Sequence, residues 1–103
     1  MDRPEFDHHR LDEVLQARLR LAIVAALAAN DGQDFPSLRT LVGATDGNMS
    51  THLKKLEEAE YLRVEKAFEG RKPVTRYWLS KAGRKALARY IATLEDFING
   101  GKT

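Results

Sequence analysis

Apolar residues recur at every fourth position through Leu15, Leu19, Ile23 and Leu27, with Val14, Leu21 and Val24 beside them, in an Ala-rich stretch from Leu11 to Asn30. That period predicts a helix, interrupted near Gln16 to Arg18 and stopped at Asn30-Asp31-Gly32, where Asn and Gly accept the left-handed backbone that closes helices. Leu38, Leu41 and Val42 give a second, shorter stripe, with Asp34 as cap, Pro36 in the first turn and an end near Gly43. A third helix is predicted over Asp46 to Ala59, capped by Thr45, with Met49, Leu53 and Leu56 on its apolar side. Asn48, Ser50, Thr51, Lys54 and Lys55 point elsewhere, so its N-terminal half is polar and cationic, whereas Glu57, Glu58 and Glu60 gather at the far end.

The period then changes to two. Leu62, Val64 and Phe68 alternate with Arg63, Glu65 and Ala67, residues Glu69 to Pro73 read as a turn, and Thr75 to Ser80 alternates again. This is a β-hairpin with basic residues near its tip. Ser80 can cap a last helix reaching about Asn99, with Leu87, Tyr90, Ile91, Leu94, Phe97 and Ile98 along one side and Gly100-Gly101 beyond. The expected fold is mainly α with a small β-hairpin wing: one domain over residues 11–99, with a helix-turn-helix at about 35–59, a wing at about 62–79 and a C-terminal helix at about 81–99. Residues 1–10 read as a flexible N-terminal arm, loose unless a partner orders it.

A length of 103 residues supports one core, and 43% hydrophobic with 31% charged content is that of a globular protein. The longest weakly polar run, Leu19 to Ala29, contains Arg20 and is too short to span a bilayer, and nothing before it resembles a secretory signal. The expectation is a cytoplasmic protein without a membrane partner. The lack of cysteine removes disulfides, thiolate nucleophiles and thiolate metal sites together. The net charge of +2 is unevenly spread: residues 1–46 carry 5 Lys/Arg against 8 Asp/Glu, and residues 47–103 carry 12 against 7. The basic half begins with the third helix, as a domain contacting phosphate through one face requires; chance unevenness in a small chain is the plainer alternative.

A short helix, a tight turn and a second helix presented N-terminus first is the arrangement that sets side chains in a major groove, and a basic hairpin beyond it supplies cations for backbone or minor groove. The segments RLRLAIVAAL, DFPSLRTLVGATDGNMSTHLKKLEEAEYL and GRKPVTRYWLSKAGRKAL, in that order and spacing, resemble the MarR/ArsR-like winged helix-turn-helix transcriptional regulators over about four fifths of the chain. The resemblance implies a homodimer joined by terminal helices, reading two half-sites about one DNA turn apart. It also implies a transcriptional regulator, commonly a repressor, released in some members by a small-molecule effector or metal. By position it assigns base readout to Asn48, Ser50, Thr51 and Lys54, and phosphate or wing contacts to Lys55, Arg71, Lys72 and Arg76. One departure stands out: family members usually carry Gly after the recognition helix, and here that position is Glu60. A positive φ there would cost a non-Gly residue roughly 1 kcal/mol.

Each of these readings has a plainer rival. The polar positions of the third helix could be a solvated face, and Arg71 with Lys72 a solubilising hairpin tip. His52 is read as packing or bonding a phosphate rather than binding metal, while His8 and His9 lack a companion ligand at helical spacing, so no metal or cofactor is expected. An inter-subunit contribution from His8 or His9 stays open. Trp78 turns outward if Tyr77 and Leu79 face the core, toward a dimer partner, a ligand cavity or simply a long neighbouring side chain. The stripe Leu87, Tyr90, Ile91, Leu94, Phe97 and Ile98 is broad enough to suggest burial against a second copy, against the rival that it closes its own core. No Gly-rich phosphate loop, nucleophile elbow or metal-ligand spacing supports an enzyme. The alternative from another class is a winged helix used as a protein-protein interaction module without DNA binding.

Overall fold

The computed structural model describes residues 4–101. Four helices, α1 (Arg18–Ala29), α2 (Phe35–Val42), α3 (Asp46–Glu58) and α4 (Lys81–Ile98), pack with strands β1 (Gln33–Asp34), β2 (Leu62–Glu69) and β3 (Lys72–Leu79). The strands form one antiparallel sheet in the order β1-β3-β2. β1 was not expected; two residues cannot display an alternation, and it exists because Gln33 and Asp34 pair with Tyr77 and Arg76.

The break expected near Gln16 to Arg18 is present, but the helix expected from Leu11 begins only at Arg18. Asp12 accepts hydrogen bonds from the Val14 and Leu15 amides (2.8 and 3.1 Å), closing a 3-10 turn over Val14–Gln16, and Ala17 is extended before α1 begins. The core joins Leu15, Ile23, Val24 and Leu27 to Leu38, to Met49, Leu53 and Leu56, to Leu62, Tyr77 and Leu79, and to Ala86, so the four α-helices and strands β2 and β3 all contribute to it.

Residues 4–10, read as a loose arm, fold back on the end of α4. Arg10 pairs with Asp96 at 2.7 Å and lies over the Phe97 ring, and the Phe6 and Phe97 rings sit 5.8 Å apart. The sequence signal was hidden because the ordering partner is the chain's own last helix, some ninety residues away. Residues 1–3 of that arm lie outside the described residues.

The junction of α3, wing and α4 is tightly bonded. Ser80 donates its hydroxyl to the Glu60 carbonyl (2.7 Å), its amide to the Tyr61 carbonyl (2.9 Å), and its oxygen caps α4 at the Gly83 amide (3.0 Å). Gly83 is required there, since a Cβ would stand 2.3 Å from the Tyr61 carbonyl oxygen. The Tyr61 hydroxyl donates to Asp12, and burial together with that bond pushes the phenol up to about 12.

Candidate nucleic-acid interface

α2 and α3 are held at a fixed angle by their termini. Asp34 caps α2 at the Ser37 amide (2.9 Å), which also holds its carboxyl below the usual carboxylate range. Gly43, at φ 67°, turns the chain, and Thr45 caps α3 at the Asn48 amide (3.3 Å). An Arg39–Asp46 ion pair joins the two helices across the turn. It leaves the acid in the first turn of α3 neutralised, at the end where the helix dipole and free amides favour a phosphate.

Met49, Leu53 and Leu56 bury one side of α3. At 100° per residue the opposite side is centred on the row Gly47, Thr51, Lys54, with Asn48 and Lys55 on one flank and Ser50 on the other. Asn48, Ser50, Thr51, Lys54 and Lys55 are all exposed, so α3 brings every predicted reader to one surface. The Thr51 hydroxyl donates to the Gly47 carbonyl (3.1 Å), which leaves its oxygen as an acceptor for a base amino group. Glu58 continues the same row toward the C-terminus, so only the N-terminal half of the helix suits a polyanion.

His52 faces α1 rather than the row. Arg20 lies 3.0 Å from its Nδ1 and also donates to the Val14 carbonyl at 2.6 Å. Arginine has no acceptor, so the imidazole is neutral with Nδ1 accepting. Burial first, then the Arg20 and Lys55 charges, push His52 below its ordinary value. Among the described residues no group of three His, Cys, Asp or Glu could hold a metal ion.

The wing is a hairpin in full register from Leu62–Leu79 to Glu69–Lys72. Its loop is only Gly70-Arg71, tighter than the Glu69 to Pro73 turn expected, with Gly70 at φ 64° in the first loop position as a two-residue hairpin demands. Arg71 and Lys72 are exposed at the tip. Arg76 is engaged at the wing base, donating to the Gly32 carbonyl (3.1 Å) and to Glu69 (2.6 Å), whose carboxylate holds the guanidinium above its ordinary value. Its visible task is to brace the wing. Lys66, on β2, is an exposed wing cation that sequence reasoning passed over; its only signal was a lysine at a core-facing register beyond the last core residue. Among the described residues Lys54, Lys55, Lys66, Arg71 and Lys72 enter no ion pair, whereas Glu65 pairs with Arg63 and Glu69 with Arg76.

The α4 stripe divides in two. Leu87 and Tyr90 pack against the chain's own core, and Phe97 is covered by Phe6 and Arg10. Ile91 (47% exposed), Leu94 (39%) and Ile98 (82%) remain as one outward row at i, i+3, i+7. Trp78 is half-buried against Gly32 and under the Arg63 guanidinium, 4.3 Å from its ring centre, the local packing weighed above against a partner. Among the described residues no helix is long and apolar enough to cross a membrane.

Comparison with known proteins gives the same architecture. A structure described as a transcriptional regulator homologue from Pyrococcus horikoshii OT3 superimposes with a TM-score of 0.74 at 22% identity, over 92% of this chain and 99% of that one. The PcaV transcriptional regulator from Streptomyces coelicolor gives 0.72 at 18% identity, over 95% and 73%. A MarR-family regulator from Silicibacter pomeroyi gives 0.64 at 22%, over 92% and 68%. The fold is thus the MarR-like winged helix. In sequence, an uncharacterised protein of Methanocaldococcus jannaschii is 30% identical over 79 residues, 77% of this chain and 86% of that protein. The family model for the winged helix DNA-binding domain matches residues 19–98, and the chain belongs to that family.

Proposed function

We propose that this protein is a homodimeric, sequence-specific binder of duplex DNA that regulates transcription in the cytoplasm as a repressor, by occupying its site. The observation that carries the reading is that Lys54 and Lys55 on α3 and Lys66, Arg71 and Lys72 on the wing are exposed and, among the described residues, enter no ion pair, while Asn48, Ser50 and Thr51 are exposed on the N-terminal half of α3. In this reading Asn48, Ser50, Thr51 and Lys54 meet base edges in the major groove, while Lys55, Arg71 and Lys72 meet phosphates or the adjacent minor groove. Arg76 acts through the wing it braces.

The dimer reading is supported by the row Ile91, Leu94 and Ile98, large apolar side chains that the described chain leaves exposed. A second copy laid against α4 would bury it and set two α3 helices to read one two-fold symmetric site. Selection from a random duplex library, followed by footprinting of the enriched sites, tests the proposal. The expected product is an inverted repeat whose half-sites lie about 10 base pairs apart. A library that never enriches refutes sequence-specific binding.

A further inference from the structure

We propose that the wing enters the minor groove of duplex DNA with Phe68 as an apolar wedge against the groove wall. The inference rests on the DNA-binding reading above and adds a contact residue to it. Phe68 is 73% exposed, more than any other Phe, Tyr or Trp among the described residues. The register explains its position. Leu62–Leu79 and Val64–Tyr77 cover the core on one face of the hairpin, and the next two pairs on that same face, Lys66–Thr75 and Phe68–Pro73, run out past it. Phe68 and Pro73 therefore form an apolar pair at the end of a strand ladder, beside the Gly70-Arg71 loop.

Charge decides what this pair meets. The two acids of the wing, Glu65 and Glu69, lie on the opposite face and are engaged by Arg63 and Arg76. The face carrying Phe68 holds Lys66 and no acid, and the loop adds Arg71. An apolar group framed by cations fits a polyanion with an apolar interior surface, and the minor groove offers both: phosphates along its rims and deoxyribose rings along its walls. A groove about 6 Å wide is too narrow for the paired strands, so only the two-residue Gly70-Arg71 tip and the side chains beside it, Phe68 among them, would enter. A second copy of the chain is a poor occupant, since two basic wings repel, and the α4 row already gives it a seat.

Anisotropy titrations of the full chain against an enriched duplex, at several salt concentrations, with hydroxyl-radical footprints, test the wedge. Phe68→Ala should bind about tenfold more weakly, the order expected when burial of one aromatic side chain is lost. The slope of log K against log salt should not change, because no phosphate contact is removed. The footprint should lose its deoxyribose protection flanking each half-site, and Phe68→Leu, which stays apolar, should keep most of the affinity. Arg71→Ala should instead shallow the slope by about 1. Phe68→Ala with unchanged affinity and footprint, or with a changed sedimenting mass, overturns the wedge and leaves DNA binding intact. A wild-type chain that binds no duplex removes both readings.

Discussion

Replacing Glu60 by Gly should stabilise the protein. α3 ends in a Schellman motif: the Tyr61 amide donates to the Leu56 carbonyl (3.0 Å) and the Glu60 amide to the Glu57 carbonyl (2.9 Å). α2 and α4 close in the same way, with Gly43 and Gly100 at the left-handed position, whereas α3 places Glu60 there at φ 63°. A non-Gly residue in that conformation costs about 1 kcal/mol or more. Removing an acid just beyond a helix C-terminus, next to Glu57 and Glu58, adds a few tenths. Gly returns roughly 0.4–1 kcal/mol through the wider freedom of the unfolded chain. The Glu60 side chain is exposed, and its amide and carbonyl bonds, including the one from Ser80, survive the change. The net gain is about 0.5–1 kcal/mol, or a rise of roughly 2–8 °C in Tm for a domain of this size. Thermal melts at fixed protein concentration read it, and DNA affinity should be unchanged because position 60 lies at the acidic end of α3. Glu60→Ala is the control: it removes the charge and keeps the strained backbone, so it should move Tm far less. A lower Tm for Glu60→Gly, or equal gains for both variants, refutes the strain argument.

Two further outcomes follow from the packing. Leu94→Asp, placed in the middle of the exposed α4 row, should shift the sedimenting species from dimer to monomer while the melt stays cooperative; an unchanged mass would show that dimerisation, if any, lies elsewhere. His52 is held below its ordinary 6.5, so on acidification the unfolded chain takes up its proton first. Its contribution to stability is therefore complete above about 6.5 and declines as pH falls through the window beneath. His52→Asn should flatten that part of a stability-versus-pH curve measured by urea unfolding, and a variant with the wild-type curve would exclude His52 as the cause.

The helices, their caps and the wing were legible because each is specified locally: Asp34, Thr45 and Ser80 announce three helix starts, and the change from a period of four to a period of two announces the hairpin. The positive φ at residue 60 was legible as a question, and the backbone answers it. What stayed hidden depends on distant partners. The seating of residues 4–10 needs Asp96 and Phe97, β1 needs Tyr77 and Arg76, and the neutral state of His52 needs Arg20 from another helix. Among the site residues, sequence could name Arg76 as a wing cation but could not see it bound to Gly32 and Glu69. It treated the α4 stripe as one surface, although Leu87, Tyr90 and Phe97 are packed within the chain and Ile91, Leu94 and Ile98 are not. Lys66 and Phe68 emerge only when strand register shows which face they extend.

The central claim is that cations on α3 and the wing contact DNA phosphates, and its most direct test is the salt dependence of binding to duplex DNA. The account predicts a straight decline of log K with log salt, with a slope shallower by about 2 in the Arg71→Ala, Lys72→Ala double variant. A slope near zero, or no association with any duplex at low ionic strength, would contradict it and leave a winged helix whose partners are proteins.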